Sequence, residues 1–260
     1  MKETGLMFKA PLVRAILEGR KTQTRRILKP QPAPNHPHDG GTKWIIERGL
    51  HTPVGSVGHL SVREKMGLRC PMGQPGDRIY VRETWNPDPP CDGTWAYTQW
   101  AGCRQGQIEG VPKQFRTPEH CMYAASTDAE SVWTPSVHMP KWAARIWLEI
   151  TGVRVERLQS ITRADIKAEG VEITEPRAFS LHGLNAEQRE NMRRTFAAYQ
   201  FQELWDSTTV RPKLPENKNS KRYARVKHWL DTHPDTTGWA ANPWVWVIDF
   251  KTISTDGRPA

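Results

Sequence analysis

The sequence predicts an α+β fold: a small antiparallel β-barrel with flanking helices and long loop insertions. Three observations carry that reading. Period-two alternation of apolar residues recurs in several short stretches, only two or three segments show helical spacing, and the two kinds do not follow the β-α-β rhythm of a doubly wound sheet. The chain has 260 residues, enough for one large domain or two small ones. With 37% AVILMFWYC and 25% charged residues it is too apolar for a disordered chain and can bury a sizeable core.

Taken in order, Leu6 to Lys9 reads as a short strand, and Pro11 suits the start of a helix. Leu12, Val13, Ile16 and Leu17 keep helical spacing, and Gly19 is placed to cap the helix C-terminus. The cationic run Arg20-Lys21-Thr22-Gln23-Thr24-Arg25-Arg26 then leads into a strand. Residues 29 to 43, rich in Pro and Gly, read as a loop. After the turn signal Pro75-Gly76-Asp77, residues 78 to 85 alternate as a strand with Ile79 and Val81 on one face. Residues 86 to 118 read as an insertion with a short strand near Trp95 to Tyr97, and Cys121 to Ala125 as a further strand. Pro135 and Pro140 keep residues 133 to 142 irregular.

The longest strand is expected over residues 145 to 158, with Ile146, Leu148 and Ile150 on one face, a bulge at Gly152, and alternation resuming at Val153 and Val155. Thr162 as N-cap, Asp165 at N3 and Gly170 as a stop define a short helix. A longer helix is expected from about Asn185 to Trp205, capped by the Asn185 and Gln188 pair. Residues 208 to 241, with Lys218, Lys221, Arg222, Arg225 and Lys227, read as a solvated excursion or contact arm. Trp244 to Phe250 is a closing strand buried on at least one side.

Charge and aromatic content point to a class of partner. Lys and Arg number 37 against 28 Asp and Glu, a formal charge of +9, with a pI of about 9.5. Twelve Trp on such a chain suit a surface that stacks bases and attracts phosphates, although a single Trp more often fills a core. Apolar stretches fall short of the ~20 residues that cross a bilayer, so no membrane partner is expected. The N-terminal residues lack a signal-peptide pattern, which predicts a cytoplasmic protein with reduced Cys70, Cys91, Cys103 and Cys121. His36, His38, His51, His59 and Cys70 match no standard zinc spacing, and no phosphate-loop or dinucleotide motif is present, so no metal and no cofactor are expected.

Gly19-Arg20-Lys21-Thr22-x-Thr24-x-Arg26, Pro75-Gly76-Asp77-x-x-x-Val81-Arg82-Glu83, Val155-x-x-Leu158-x-x-Ile161-Thr162 and Ala168-Glu169-Gly170, in that order, resemble the ASCH domain family, which has a PUA-like β-barrel. The segment Trp133-x-Pro135-Ser136-x-His138-Met139-Pro140 and the triplet Leu204-Trp205-Asp206 are similar to a long phage- and prophage-encoded subgroup. The match covers about half the chain, residues 5 to 28, 75 to 85, 120 to 170 and 243 to 252. It implies one domain over residues 1 to 260, with insertions at about 29–74, 86–118 and 171–242.

The resemblance further implies a cleft that binds RNA or a nucleobase. In some bacterial members it implies an amidohydrolase that removes acetyl from 4-acetylcytidine with a Lys, a Thr and a Glu, which places Lys21, Thr24 and Glu169 at the catalytic positions. Chemically, a threonine attacks an amide only if a base takes its proton, and a lysine does so only when neutral. In one workable arrangement Lys21 stays charged to polarise the carbonyl while Glu169 is the general base. Glu83 is the alternative carboxylate. Arg20, Arg25, Arg26 and Arg82 are the candidate phosphate contacts, Trp85 and Trp142 the candidate stacking rings, and His138 a candidate base contact. The partner expected is RNA, DNA or a modified nucleoside. The rival readings are the amidohydrolase, a phage assembly or host-interaction protein that keeps the domain as a scaffold, and a nuclease.

Overall fold

The computed structural model describes residues 1–29, 31, 43–47, 50–54, 69–88, 111–128, 132–177, 181–208, 216–218, 220–232 and 237–259. The strands are β1 (Glu3–Met7), β2 (Gln23–Ile27), β3 (Lys43–Glu47), β4 (Leu50–Val54), β5 (Arg78–Arg82), β6 (Trp85–Pro87), β7 (Cys121–Tyr123), β8 (Trp147–Arg157) and β9 (Trp244–Ser254). The helices are α1 (Ala10–Leu17), α2 (Arg163–Ala168), α3 (Ala186–Thr208) and α4 (Lys221–Thr232).

Five strands form one sheet in the order β1-β5-β8-β9-β2, so the α+β class holds. The sheet is mixed: β1 runs parallel to β5, because α1 and a long excursion separate them, and the other three pairings are antiparallel. No closed barrel is found among the described residues, since β1 and β2 remain as the two edges. The Arg26 guanidinium reaches across those edges and donates to the Met7 carbonyl at 2.9 Å.

The long strand expected near residue 150 is β8, with a register shift between Ile150 and Gly152 where the bulge was predicted. Its partner β9 is buried on both faces. Trp246, Ile248 and Phe250 pack with Phe8, Val13, Ile16, Ile79, Val81 and Leu148 on one side. Val245 and Val247 pack with Ile166, Phe201 and Trp205 from α2 and α3 on the other. That two-sided burial explains why the closing strand reads as an unbroken apolar run. A third cluster joins Trp85, Tyr123, Met139 and Ala143 beside the β6-β7 ribbon.

Caps place the helices as their sequences predict. Gly19 takes φ +72 after α1, and Gly170 takes φ +84 after α2, the left-handed conformation that favours glycine. Thr162 and Asp165 form a reciprocal capping box, and the Asn185 and Gln188 side chains each accept from the other's backbone N–H. Two elements lie in stretches where the sequence reading named no strand or helix: the hairpin β3-β4 inside the 29–74 insertion, and α4 inside the 208–241 arm. The strand expected at Trp95 to Tyr97 falls outside the described residues.

Candidate functional site

Gly19 turns the chain sharply out of α1, and the next residues dock onto the end of α2. The Lys21 N–H donates to Ala15 O at 2.9 Å, the Thr22 N–H donates to Ala168 O at 2.8 Å, and Lys21 and Glu169 form a two-residue antiparallel bridge. A Cβ on Gly170 would stand 2.8 Å from the Ala15 Cβ and 2.9 Å from the Lys21 Cβ, so only glycine fits that seam.

Lys21 is buried here, 1% exposed, and its Nζ donates to Gln23 O, Glu169 O and Glu169 Oε2, each at 2.7 Å. Three donors meet three acceptors. Burial pulls the ammonium below its ordinary pKa, the Glu169 charge and hydrogen bond oppose that shift, and the nearby Arg26 and Arg25 add to it.

Arg25 extends the same network on the face of β2 that meets α2. Its Nη1 contacts Glu169 Oε1 at 3.3 Å, and its Nη2 contacts Glu156 at 3.3 Å and Asp165 at 3.5 Å. Gln23 accepts from Arg25 and donates to Asp249 at 2.6 Å and Asp165 at 3.2 Å. Arg154 closes the outer rim with contacts to Glu156, Asp165 and Asp249. Lys21, Arg25 and Arg154 therefore face four carboxylates in a largely dehydrated seam. Sequence reading flagged Lys21, Arg25 and Glu169 but not Gln23, Arg154, Glu156 or Asp249, because no local motif marks a network drawn from three strands and a helix.

Thr24 is also buried, but the ladder pairs it with Ile248 while Arg25 pairs with Val247, so Thr24 and Arg25 occupy opposite faces of β2. The structure thus joins Lys21 directly to Glu169 and buries Thr24 on the Ile248 side of the strand. The cleft that the resemblance implies is not open at the turn out of α1, where these side chains fill the space around Lys21 and Glu169.

An open depression lies instead along the free edge of β2. It has a volume of about 440 Å³ and is lined by Arg25, Arg26, Ile27, Lys29, Trp205, Thr208 and Thr237. Arg26 and Lys29 line it with no carboxylate beside them, whereas the guanidinium of the third cation, Arg25, is buried and paired inside the seam. The Leu28 N–H donates to Trp244 O and the Phe250 N–H donates to Thr22 O, so even-numbered residues of this strand turn their backbone groups toward β9. Arg25 and Ile27 therefore turn their N–H and C=O outward, and these have no hydrogen-bond partner among the described residues. Arg26 lies 5.1 Å over the Phe8 ring and forms no ion pair among the described residues, and its buried Nε–H lacks an acceptor. Lys29 is exposed. Trp205 donates its indole N–H to Thr237 O at 2.9 Å and closes one wall. Only the arginines of this wall were readable from the cationic motif; Lys29, Trp205, Thr208 and Thr237 come together through tertiary packing.

The remaining candidates are dispersed. Arg20 pairs with Glu18 on the surface and its Nη1 donates to Gly170 O at 3.2 Å. Arg82 donates to Met139 O at 3.1 Å and to Val137 O, which pins the 133–142 segment. His138 is exposed on that segment, in a short 3-10 turn. Trp85 corrects an expectation: it is 0% exposed and packs edge-on against Trp142 at 5.6 Å, so it offers no face for stacking. Its position between β6 and the Pro-rich segment makes it the centre of the third core cluster. Trp142 is half-buried. Glu83 is held by Arg145 at 2.9 Å, and burial pushes its carboxyl up against the pull of that arginine.

Fold and site together define an α+β protein with an internal ion-pair seam and an open cationic groove on a sheet edge. No protein-family model, curated protein or solved structure matches the chain.

Proposed function

We propose that this protein binds nucleic acid or a modified nucleobase in the groove along β2. The observation that carries the reading is the lining: Arg26 and Lys29 with no carboxylate, beside the open backbone edge of Arg25 and Ile27, in a hollow of about 440 Å³. That size falls in the range of small-ligand pockets, roughly 300–1,000 Å³. The outward N–H and C=O groups of Arg25 and Ile27 add donors and acceptors suited to the edge of a heterocycle, while the cations suit a phosphate. A net charge of +9 draws a polyanion toward the surface. The resemblance to the ASCH domain and its PUA-like barrel points the same way.

The geometry lends less to acyl removal by Lys21, Thr24 and Glu169, because all three ammonium donors of Lys21 are already taken by internal acceptors and each of the three residues is buried. Binding by the groove needs no such opening.

The test is fluorescence anisotropy with labelled single-stranded RNA and DNA across a salt series. Affinity is expected to fall as salt rises, and Lys29→Ala and Arg26→Gln are each expected to flatten the log–log salt slope by about 0.7, the counterion release of one phosphate contact on a single strand. Circular dichroism checks that Arg26→Gln stays folded. Salt-independent binding, or binding unchanged in both variants, overturns the reading.

A further inference from the structure

Outside the groove, the densest cationic surface belongs to α4. Residues 217 to 230 hold Lys218, Lys221, Arg222, Arg225 and Lys227 and no Asp or Glu. The 12-residue helix is nucleated by Ser220, whose hydroxyl accepts from the Tyr223 N–H at 3.0 Å. At 100° per residue, Lys221, Arg225 and Arg222 fall within about one third of the circumference, while Tyr223 and Val226 lie on the other side. Burial follows that division. Lys221, Arg222 and Arg225 are exposed, and Tyr223 and Val226 are half-buried.

No ion pair among the described residues involves Lys218, Lys221, Arg222, Arg225 or Lys227. The spacing makes this costly in isolation, since Lys221 and Arg225 stand four apart and Arg222 and Arg225 three apart, where like charges on a helix repel. In the seam, by contrast, Arg25 and Arg154 each meet three carboxylates. Three exposed cations on one helical face with no ion pair among the described residues leave the counter-charge to an external polyanion.

We propose that the Lys221, Arg222 and Arg225 face of α4 docks the phosphate backbone of duplex nucleic acid, independently of sequence. This rests on the reading that the ligand is a nucleic acid and adds a second contact surface to the groove. The argument for a duplex is one of shape and chemistry. The helix spans about 18 Å at 1.5 Å per residue, and a major groove about 12 Å wide admits a helix. Duplex DNA presents a dense array of phosphates, one charge per about 1.7 Å of axis, that attracts such a cluster of cations. Phosphate contacts position without reading sequence.

The test uses the full-length protein with the triple substitution Lys221→Gln, Arg222→Gln and Arg225→Gln, all at exposed positions, against a blunt duplex in a salt series. Loss of three phosphate contacts is expected to flatten the log–log salt slope by about 2.7, so that between about 50 and 200 mM salt the unaltered protein loses about 40-fold more affinity than the variant. Duplexes of unrelated sequence are expected to behave alike. An unchanged slope in the triple variant overturns the proposal, and so does equal affinity for polyglutamate of matched charge. Lys29→Ala, measured in parallel on single strands and on the duplex, separates this from the groove reading. If Lys29→Ala changes nothing while the triple variant loses the duplex, the groove falls and the helix stands. If only Lys29→Ala weakens binding, the helix falls.

Discussion

Glu169 receives the Lys21 ammonium on one carboxylate oxygen, at 2.7 Å, and the Arg25 guanidinium on the other, at 3.3 Å, with all three side chains nearly dry. Arg25 keeps Glu156 and Asp165 if Glu169 is lost, but Lys21 keeps only two carbonyl oxygens. Glu169→Gln therefore leaves an uncompensated buried ammonium, and urea unfolding is expected to show a loss of about 3–5 kcal/mol. Adding Lys21→Met removes the orphaned charge and is expected to recover part of that loss. A double variant no more stable than Glu169→Gln alone would show that the pair is not coupled in this way. The sequence disclosed these residues only as a motif. Gly19-Arg20-Lys21-Thr22 marks a turn out of a helix, but nothing local says that Lys21 points inward, because the acceptor that satisfies it lies 148 positions away.

The α2 helix is short enough that its N-terminal cap decides whether it forms. Thr162→Ala removes the hydroxyl that accepts from the Asp165 N–H and is expected to cost about 1 kcal/mol. Asp165 adds a pH dependence. Burial alone pushes its carboxyl up, but the Thr162 hydroxyl and backbone N–H, the Arg25 charge and the Gln23 amide outweigh it and hold the group below its ordinary value. A carboxylate depressed in the folded state contributes stability that is present above its unfolded pKa, about 3.9, and is lost as pH falls through the folded value. Asp165→Asn is thus expected to be less stable than the unaltered chain at pH 7, with the gap closing below about pH 4. The raised carboxyl of Glu83 works in the opposite sense but is common to both chains and cancels in the difference. Stability of the two proteins in urea at several pH values checks the prediction, and a gap that persists or widens in acid contradicts it. Elements of this kind were readable: caps at Gly19, Thr162 and Gly170 and alternation through β8 and β9 are local signals of burial. The α4 helix carried a fainter signal, Tyr223, Val226 and Leu230 at i, i+3 and i+7, set among basic residues that read as a solvated arm. In β3-β4, the apolar run Trp44-Ile45-Ile46 and the two-residue link Arg48-Gly49 were a usable hairpin signal overlooked amid Pro-rich surroundings.

The molecule grades from a doubly buried centre to a cationic periphery. β9 is covered on one side by the cluster around Phe8 and Val81 and on the other by α2 and α3, whereas no ladder joins the β1 and β2 edges among the described residues and the Arg26 to Met7 hydrogen bond spans them. The barrel predicted from alternation needs a closing ladder, and alternation reports which face of a strand is buried, not which strands pair. This gradient sets an order of local opening. Opening β9 exposes both clusters at once and so requires global unfolding, while none of the three core clusters includes an α4 residue among the described residues. Native-state hydrogen exchange is expected to give the Val245–Ile248 amides protection close to the global stability, of order 5 kcal/mol or more, and the α4 amides protection near zero. Amides in α4 that exchange as slowly as those in β9 would mean that the helix belongs to the core unit. The same measurement in the presence of duplex nucleic acid links stability to ligand: a segment that contacts the duplex gains protection, whereas β9, already limited by global unfolding, gains only the general stabilisation that binding confers.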